Sequence, residues 1–299
     1  MSLVVLGTVA LDTVKTPRGK RVDMLGGSAA HFSMAARFFT QVNLVAVVGE
    51  DFPARHIESL RRKGIVLTSL RKEPGETFRW EGEYKGDMNS ALTLNTGLGV
   101  LSAFRPQITE EQRVMKYIFL ANVDPDIQGH LLDCVHSPRL VALDSMNYWI
   151  RHKRKSLLRL MKRIDIFVAN DAEARELSGK TSLMDAACRL KELGPKMILV
   201  KKGEHGVLFY CDSFLFSLPA YPVTRLVDPT GAGDSFAGGF MGYLTKVKKI
   251  NKNTIKKAIA YGTVLASYNV EGFGLERTAS LTLSEINKRF DSYRRNLII

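Results

Sequence analysis

The sequence predicts an α/β protein: a doubly wound, mostly parallel sheet with helices on both faces, plus a small β lid. Three observations predict it. Short apolar runs rich in Val, Ile and Leu alternate with stretches of helical periodicity, the pattern of buried parallel strands joined by crossover helices. Polar residues recur just beyond those runs, at Asp12, Asn122, Asp124, Asp144, Asn170 and Lys201, on the edge where open α/β sheets place their ligands. Two further stretches, 12–24 and 77–96, alternate residue types around turns and read as a separate small sheet. The whole chain, 1–299, is then one domain with a lid sub-domain, and its length is ample for a sizeable core.

The elements follow in order. Leu3 to Gly7 is an apolar run ending in glycine, with Asp12 a few residues beyond. Val14 to Met24, around Pro17 and Gly19, reads as an exposed hairpin. Gly26-Gly27-Ser28-Ala29-Ala30-His31 opens a helix whose small residues suit either a close ligand or tight packing. Leu44 to Gly49 is a strand, and 51–63 a helix stopped at Gly64. Phe78 to Tyr84 and Ala91 to Leu94 alternate like strands about a turn at Gly86 and Asp87. Thr109 to Gln112 fits a capping box. Strands at 117–121, 140–143, 166–169 and 197–200 then alternate with helices at 127–135, 157–163, 172–177 and 182–193. Val207 to Tyr210 and Phe214 to Leu218 make an edge hairpin. Helical spacing at Phe236, Phe240 and Leu244 begins just after Asp234, and further helices span 253–269 and 282–294, the last opened by a Thr282-x-x-Glu285 box.

Composition narrows the function classes. Hydrophobic content of 45% and charged content of 24% are those of an ordinary globular protein. No run approaches the ~18 apolar residues of a membrane span, and Met1 to Gly7 lacks the basic start of a secretory signal. The three cysteines, Cys134, Cys188 and Cys211, form neither a metal pattern nor a disulfide framework, which suits a reducing cytoplasm. The net charge of +13 sits largely in basic clusters at 151–155 and 246–257. These interleave with apolar helical positions, so solvated helix faces explain them better than nucleic acid does. A positive field also draws in anionic metabolites.

The chemistry concentrates in Asp228-Pro229-Thr230-Gly231-Ala232-Gly233-Asp234. Glycines at a helix start bring unpaired N–H groups and the positive dipole end to an anion. Asp234 beside them can take a proton from a hydroxyl, although taken alone the stretch is equally a Gly-rich turn with an acidic first helical turn. A lysine-type P-loop, a dinucleotide fingerprint and a nucleophile elbow are absent, and the six histidines show no metal spacing. A second cluster, Asn170-x-x-Glu173, could hold Mg²⁺ through its waters. An anion site, a carboxylate and an Mg²⁺ cluster are what phosphoryl transfer needs.

These motifs resemble, in order and over essentially the whole chain, the ribokinase-like (PfkB) carbohydrate kinase family. Asp228 to Phe236 is similar to the family's C-terminal signature, Gly26-Gly27 to its N-terminal one, Asn170 to Glu173 to its magnesium motif, and Val200 to Gly206 to the strand–loop beside the ATP phosphates. The resemblance implies ATP and Mg²⁺ as cofactors and a sugar or nucleoside as the small-molecule acceptor. It implies Asp234 as the base, with Gly231, Ala232 and Gly233 as donors to the transferred group. Asn170 and Glu173 would organise Mg²⁺. Lys201, Gly203, Gly206, Asp228, Thr230 and Gly272 would line the nucleotide, with 264–274 flanking the adenine. Asp12, Gly26, Gly27, His31, Asp144 and Asn147 would face the acceptor. The family usually carries asparagine where this chain has His31, and Ser145-Met146 also departs from the common form, so the acceptor side is the open one. A sugar-phosphate kinase, drawing on Arg79 and Lys85 in the lid, and a non-catalytic nucleotide- or nucleic-acid-binding regulator are the alternatives. Further expectations are no nucleic-acid or membrane partner, and a homodimer through the lid.

Overall fold

The structure is a computed structural model and describes residues 1–297. Among the described residues, thirteen strands form two sheets. They are β1 (Ser2–Leu6), β2 (Ala10–Thr16), β3 (Gly19–Gly26), β4 (Gln41–Gly49), β5 (Val66–Glu73), β6 (Arg79–Tyr84), β7 (Ala91–Gly97), β8 (Tyr117–Leu120), β9 (Leu140–Asp144), β10 (Ile166–Asn170), β11 (Met197–Lys201), β12 (Val207–Cys211) and β13 (Phe214–Leu218). The large sheet runs β13-β12-β11-β10-β9-β8-β1-β4-β5. It is parallel except for the edge hairpin β12–β13, which pairs antiparallel onto β11.

Central strands read as unbroken apolar runs because both of their faces are covered. In β1, Leu3 and Val5 enter the core on one side while Val4 and Leu6 enter the core on the other. The first core is closed by three helices, Ser28–Ala36, Ala232–Lys246 and Lys252–Asn269. Their backbones come close: a Cβ on Gly238 would lie 2.3 Å from the Phe32 carbonyl oxygen, and one on Gly262 would lie 2.7 Å from that of Phe236. The small residues of these helices therefore serve helix–helix packing. The helices on the other face, among them Pro125–Cys134, Arg154–Met161 and Leu183–Glu192, close the second core.

Register aligns the polar strand ends. Asn170 stands opposite Lys201, and Asp144 opposite Val168. The C-terminal ends of β9, β10 and β11 thus bring Asp144, Asn170 and Lys201 side by side.

The small sheet, ordered β3-β2-β6-β7, is mixed: β2 and β6 pair parallel, while β2–β3 and β6–β7 are antiparallel. Val14 is buried beneath it with Tyr84 and Met88, so the expected exposed hairpin in fact has a covered inner side. Three local expectations are corrected. Strand β5 was not anticipated, because its second half is polar and exposed at the sheet edge. The helix expected over 157–163 begins earlier, as two short helices, Asn147–His152 and Arg154–Met161. A short helix, Glu276–Ser280, precedes the last one.

Candidate active site

The helix Ala232–Lys246 begins at Gly231, which adopts φ 73° as its N-cap. An L side chain is strained there, and a Cβ would also lie 2.2 Å from His31 Nδ1, so the position needs glycine. Ser235 N–H donates to the Gly231 carbonyl at 2.8 Å, and Ala232 N–H to the Pro229 carbonyl at 3.1 Å. Ala232 is therefore already engaged. The N–H groups of Gly231 and Gly233 have no hydrogen-bond partner among the described residues, which narrows the expected set of three free donors to two.

Lys201 reaches this helix start from the end of β11. Its Nζ lies 2.9 Å from where a Gly233 Cβ would be and 2.7 Å from Asp144 Oδ2. Burial works against the ammonium charge, but Asp144, with Glu173 and Asp234, outweighs it and holds the Lys201 pKa above its ordinary value. A cation and the positive end of a helix dipole repel one another unless an anion lies between them. Here Asp144, with Glu173 and Asp234, supplies the negative charge between them.

Asp234, half-buried in the first helical turn, is pushed up to about 7 by removal from water and by the charge of Asp144, with Lys201 opposing. Glu173 is also pushed up to about 7, by burial first and then by Asp144 and Asp234, against Lys201. Its Oε2 accepts from Asn170 N–H at 2.8 Å, and Asn170 Oδ1 accepts from Glu173 N–H at 2.8 Å. The N-x-x-E motif is thus a capping box for the helix Asp171–Ser178, as well as a carboxylate at the site.

Asp12, expected to face the acceptor, is buried and accepts from Gly27 N–H at 3.2 Å. Burial, the bond from Gly27 and the nearby Asp228 charge together set its pKa at about 7, with Gly27 opposing the rise. Gly26 admits this carboxylate, since a Cβ there would lie 1.9 Å from Asp12 Oδ2. His31 is 1% exposed and its Nδ1 lies 3.0 Å from Asn269 Oδ1. Asn147 opens its helix near the end of β9, and the Trp149 indole two residues on donates to Asn122 Oδ1 at 3.0 Å.

Other expected residues turn out to build the loops. Asp228 is fully buried and accepts from Thr230 N–H and from Gly274 N–H, each at 2.9 Å, tying the signature loop to the segment after Asn269. Gly206 permits close approach to the Leu218 carbonyl, and Gly272 packs on Arg277. Gly203, at φ 55°, faces Asn89 of the lid turn, whose amide donates to Glu204 Oε1 at 3.1 Å. The lid also reaches the site through Tyr84, whose hydroxyl accepts from Thr230 Oγ1 at 3.3 Å. Tyr84 and Asn269 escaped sequence reasoning, because neither sits in a motif and both meet the loop only through tertiary packing. The lid cations are committed: Arg79 to Asp23 and, at 2.8 Å, to Asp51, and Lys85 to Glu83 at 2.9 Å. Arg79 and Lys85, which favoured the sugar-phosphate alternative, are thus each paired with acids in the lid.

A family model described as pfkB family carbohydrate kinase matches residues 6–280. The chain belongs to this family. As a carbohydrate-type kinase it is 34% identical over 249 residues to a cytidine kinase of Thermococcus kodakarensis, covering 81% of this chain and 88% of the relative. It is 26% identical to a nucleoside kinase of Methanothermobacter thermautotrophicus, over 89% and 84% of the two chains. Among solved structures the fold is shared with the nucleoside kinase of Methanocaldococcus jannaschii (TM-score 0.78, 20% identity, 97% of this chain and 98% of that one). It is also shared with an Escherichia coli protein named ribokinase II, solved with ATP and Mg²⁺ (TM-score 0.81, 18% identity, 97% and 99%). In this family of kinases the small sheet resembles the lid and the large sheet the ribokinase-like body. Among the described residues no helix is long and apolar enough to cross a membrane.

Proposed function

We propose that this kinase transfers the γ-phosphoryl group of ATP to a hydroxyl of a sugar or nucleoside, with Asp234 as general base and Gly231 and Gly233 as the backbone donors. The observation that carries the reading is that Lys201 and Asp234 flank the same helix start. One supplies positive charge where the phosphoryl group develops negative charge. The other is a carboxylate with its pKa near neutrality, suited to accept the hydroxyl proton. Asp12, held by Gly27 N–H, faces the acceptor and orients its hydroxyls by accepting from them. The nucleotide lies along Lys201, Gly203 and the Asp228–Gly231 loop.

The residues present fit Mg²⁺. Three carboxylates, Asp144, Glu173 and Asp234, lie around the Lys201 ammonium; burial chiefly raises the pKa values of Glu173 and Asp234, and the neighbouring carboxylate charges add to the rise. No group of three or more acidic, His or Cys side chains among the described residues converges as a chelate, which agrees with an ion held mainly through water and phosphate. Asn170 and Glu173 would hold it, and when bound it neutralises charge on the phosphates.

Nucleoside acceptors are favoured by the relatives named cytidine kinase and nucleoside kinase. The chain, 1–299, is read as one domain working under its lid, in a reducing compartment that suits the three unpaired cysteines. A homodimer through the lid is part of this reading, supported by β7, an edge strand that exposes Leu92 and Leu94 at 56% and 50%. An ADP-release screen across pentoses, hexoses, their phosphates and nucleosides tests the acceptor assignment. Turnover highest with a nucleoside is expected, and turnover restricted to phosphorylated sugars contradicts it.

A further inference from the structure

Asn269 closes the helix Lys252–Asn269 and is fully buried. Its side chain is directed entirely at other elements. Nδ2 donates to the Thr230 carbonyl at 2.7 Å, a group that can only accept. That fixes Oδ1 as the end facing Ser235 Oγ at 2.9 Å and His31 Nδ1 at 3.0 Å. His31 therefore carries a proton on Nδ1. Burial pushes its pKa down to about 4, with the Asn269 bond opposing. Its Nε2 is buried without a partner among the described residues. The same ring backs Gly231, where a Cβ would lie 2.2 Å from Nδ1. One amide thus grips the residue before Gly231, the residue after Asp234 and the imidazole on which Gly231 rests. Thr230 carries the chain of bonds on to Tyr84 in the lid.

We propose that Asn269 and His31 together are positioning residues for phosphoryl transfer: the Nδ1–H···Oδ1 bond and the bond to the Thr230 carbonyl hold Thr230–Gly233 with its free donors turned to the phosphates. The proposal rests on the reading of Gly231 and Gly233 as those donors. Neither residue needs to gain or lose a proton. The effect is geometric, and a displacement of about 1 Å in such a site costs on the order of 100-fold in rate.

The test compares the full-length protein with Asn269→Leu, His31→Leu and His31→Asn, an amide that can donate from near the position of Nδ1. Steady-state kinetics, melting temperatures and imidazole ¹⁵N resonances are measured. The parent should show the neutral Nδ1–H form at neutral pH. Asn269→Leu and His31→Leu should lower kcat by roughly 10- to 100-fold, with KM for ATP changed by less than about threefold. His31→Asn should recover at least about fivefold of the loss seen in His31→Leu. An Nε2–H tautomer in the parent overturns the proposal. So does a kcat within about twofold of the parent in Asn269→Leu, or an equal loss in the two His31 variants. If Asn269→Leu does not fold, the two His31 variants decide by the same criteria. Failure of the functional reading itself shows differently, as a parent protein with the Nδ1–H form and no turnover on any acceptor.

Discussion

At the scale of single residues, the site is organised by unequal charges in a small volume. Asp144, Glu173 and Asp234 surround Lys201, and burial first, then the mutual charge of these carboxylates, pushes Glu173 and Asp234 up to about 7. Glu173 carries two duties, since its Oε2 caps the helix Asp171–Ser178 while its charge faces Asp144 and Lys201. Glu173→Gln keeps an acceptor for the Asn170 N–H and removes only the charge. The Mg²⁺ concentration for half-maximal activity should therefore rise, by about 10-fold, the lower end of what carboxylate changes around metals cost, while the melting temperature stays within a few degrees. An unchanged Mg²⁺ titration would leave Glu173 with the capping duty alone. The capping box was as legible in the sequence as the metal motif, since Asn-x-x-Glu satisfies both patterns, and the coordinates show the box formed.

At the scale of elements, the helix start at Gly231 joins the two halves of the site. The loop before it is held by Asp228 and Asn269 and overlaid by Tyr84, and its glycine lies on the His31 ring. Gly231→Ala places a Cβ at positive φ, a cost of roughly 1–2 kcal/mol, and against the imidazole as well. The melting temperature should fall by a few degrees and kcat should fall at least tenfold, about what a small misplacement of donors costs. An alanine variant with parental melting and turnover would show that the loop is not confined as described. Much of this element was legible: the glycines and the apolar spacing from Phe236 mark a helix start, and the four residues Leu3 to Leu6 mark a strand buried on both faces. The partners were not, because Tyr84 and Asn269 lie far from the loop in sequence and carry no local pattern. Strand β5 was missed for the opposite reason, since an edge strand with a polar second half lacks the apolar run that betrays a central strand.

At the scale of the whole molecule, a large parallel sheet presents strand ends to a cleft, and a small mixed sheet covers it from the other side. Contacts between the two run through Tyr84 to Thr230, Asn89 to Glu204 and Arg79 to Asp51, so the lid is tied to the body at three separate points. The fold and the order of motifs could be read from sequence because alternation and glycine spacing are local. The pairing of Arg79 with acids could not be read, because Asp23 and Asp51 lie far from Arg79 in sequence. The outer strand β7 exposes Leu92 and Leu94 along an unpaired edge, and a second lid covering it would bury both. Sedimentation should show a dimer that Leu92→Lys with Leu94→Lys dissociates, and a monomeric parent protein contradicts that assembly. The account depends most on Asp234 as the base. Its substitution by asparagine, with ADP release and ATP binding measured in parallel, tests this most directly. The account predicts that turnover falls by roughly 10²- to 10⁴-fold while ATP still binds. It also predicts that kcat/KM in the parent is lost as pH drops below about 7, because the base must be ionised to work. Turnover in Asp234→Asn within about tenfold of the parent would contradict it.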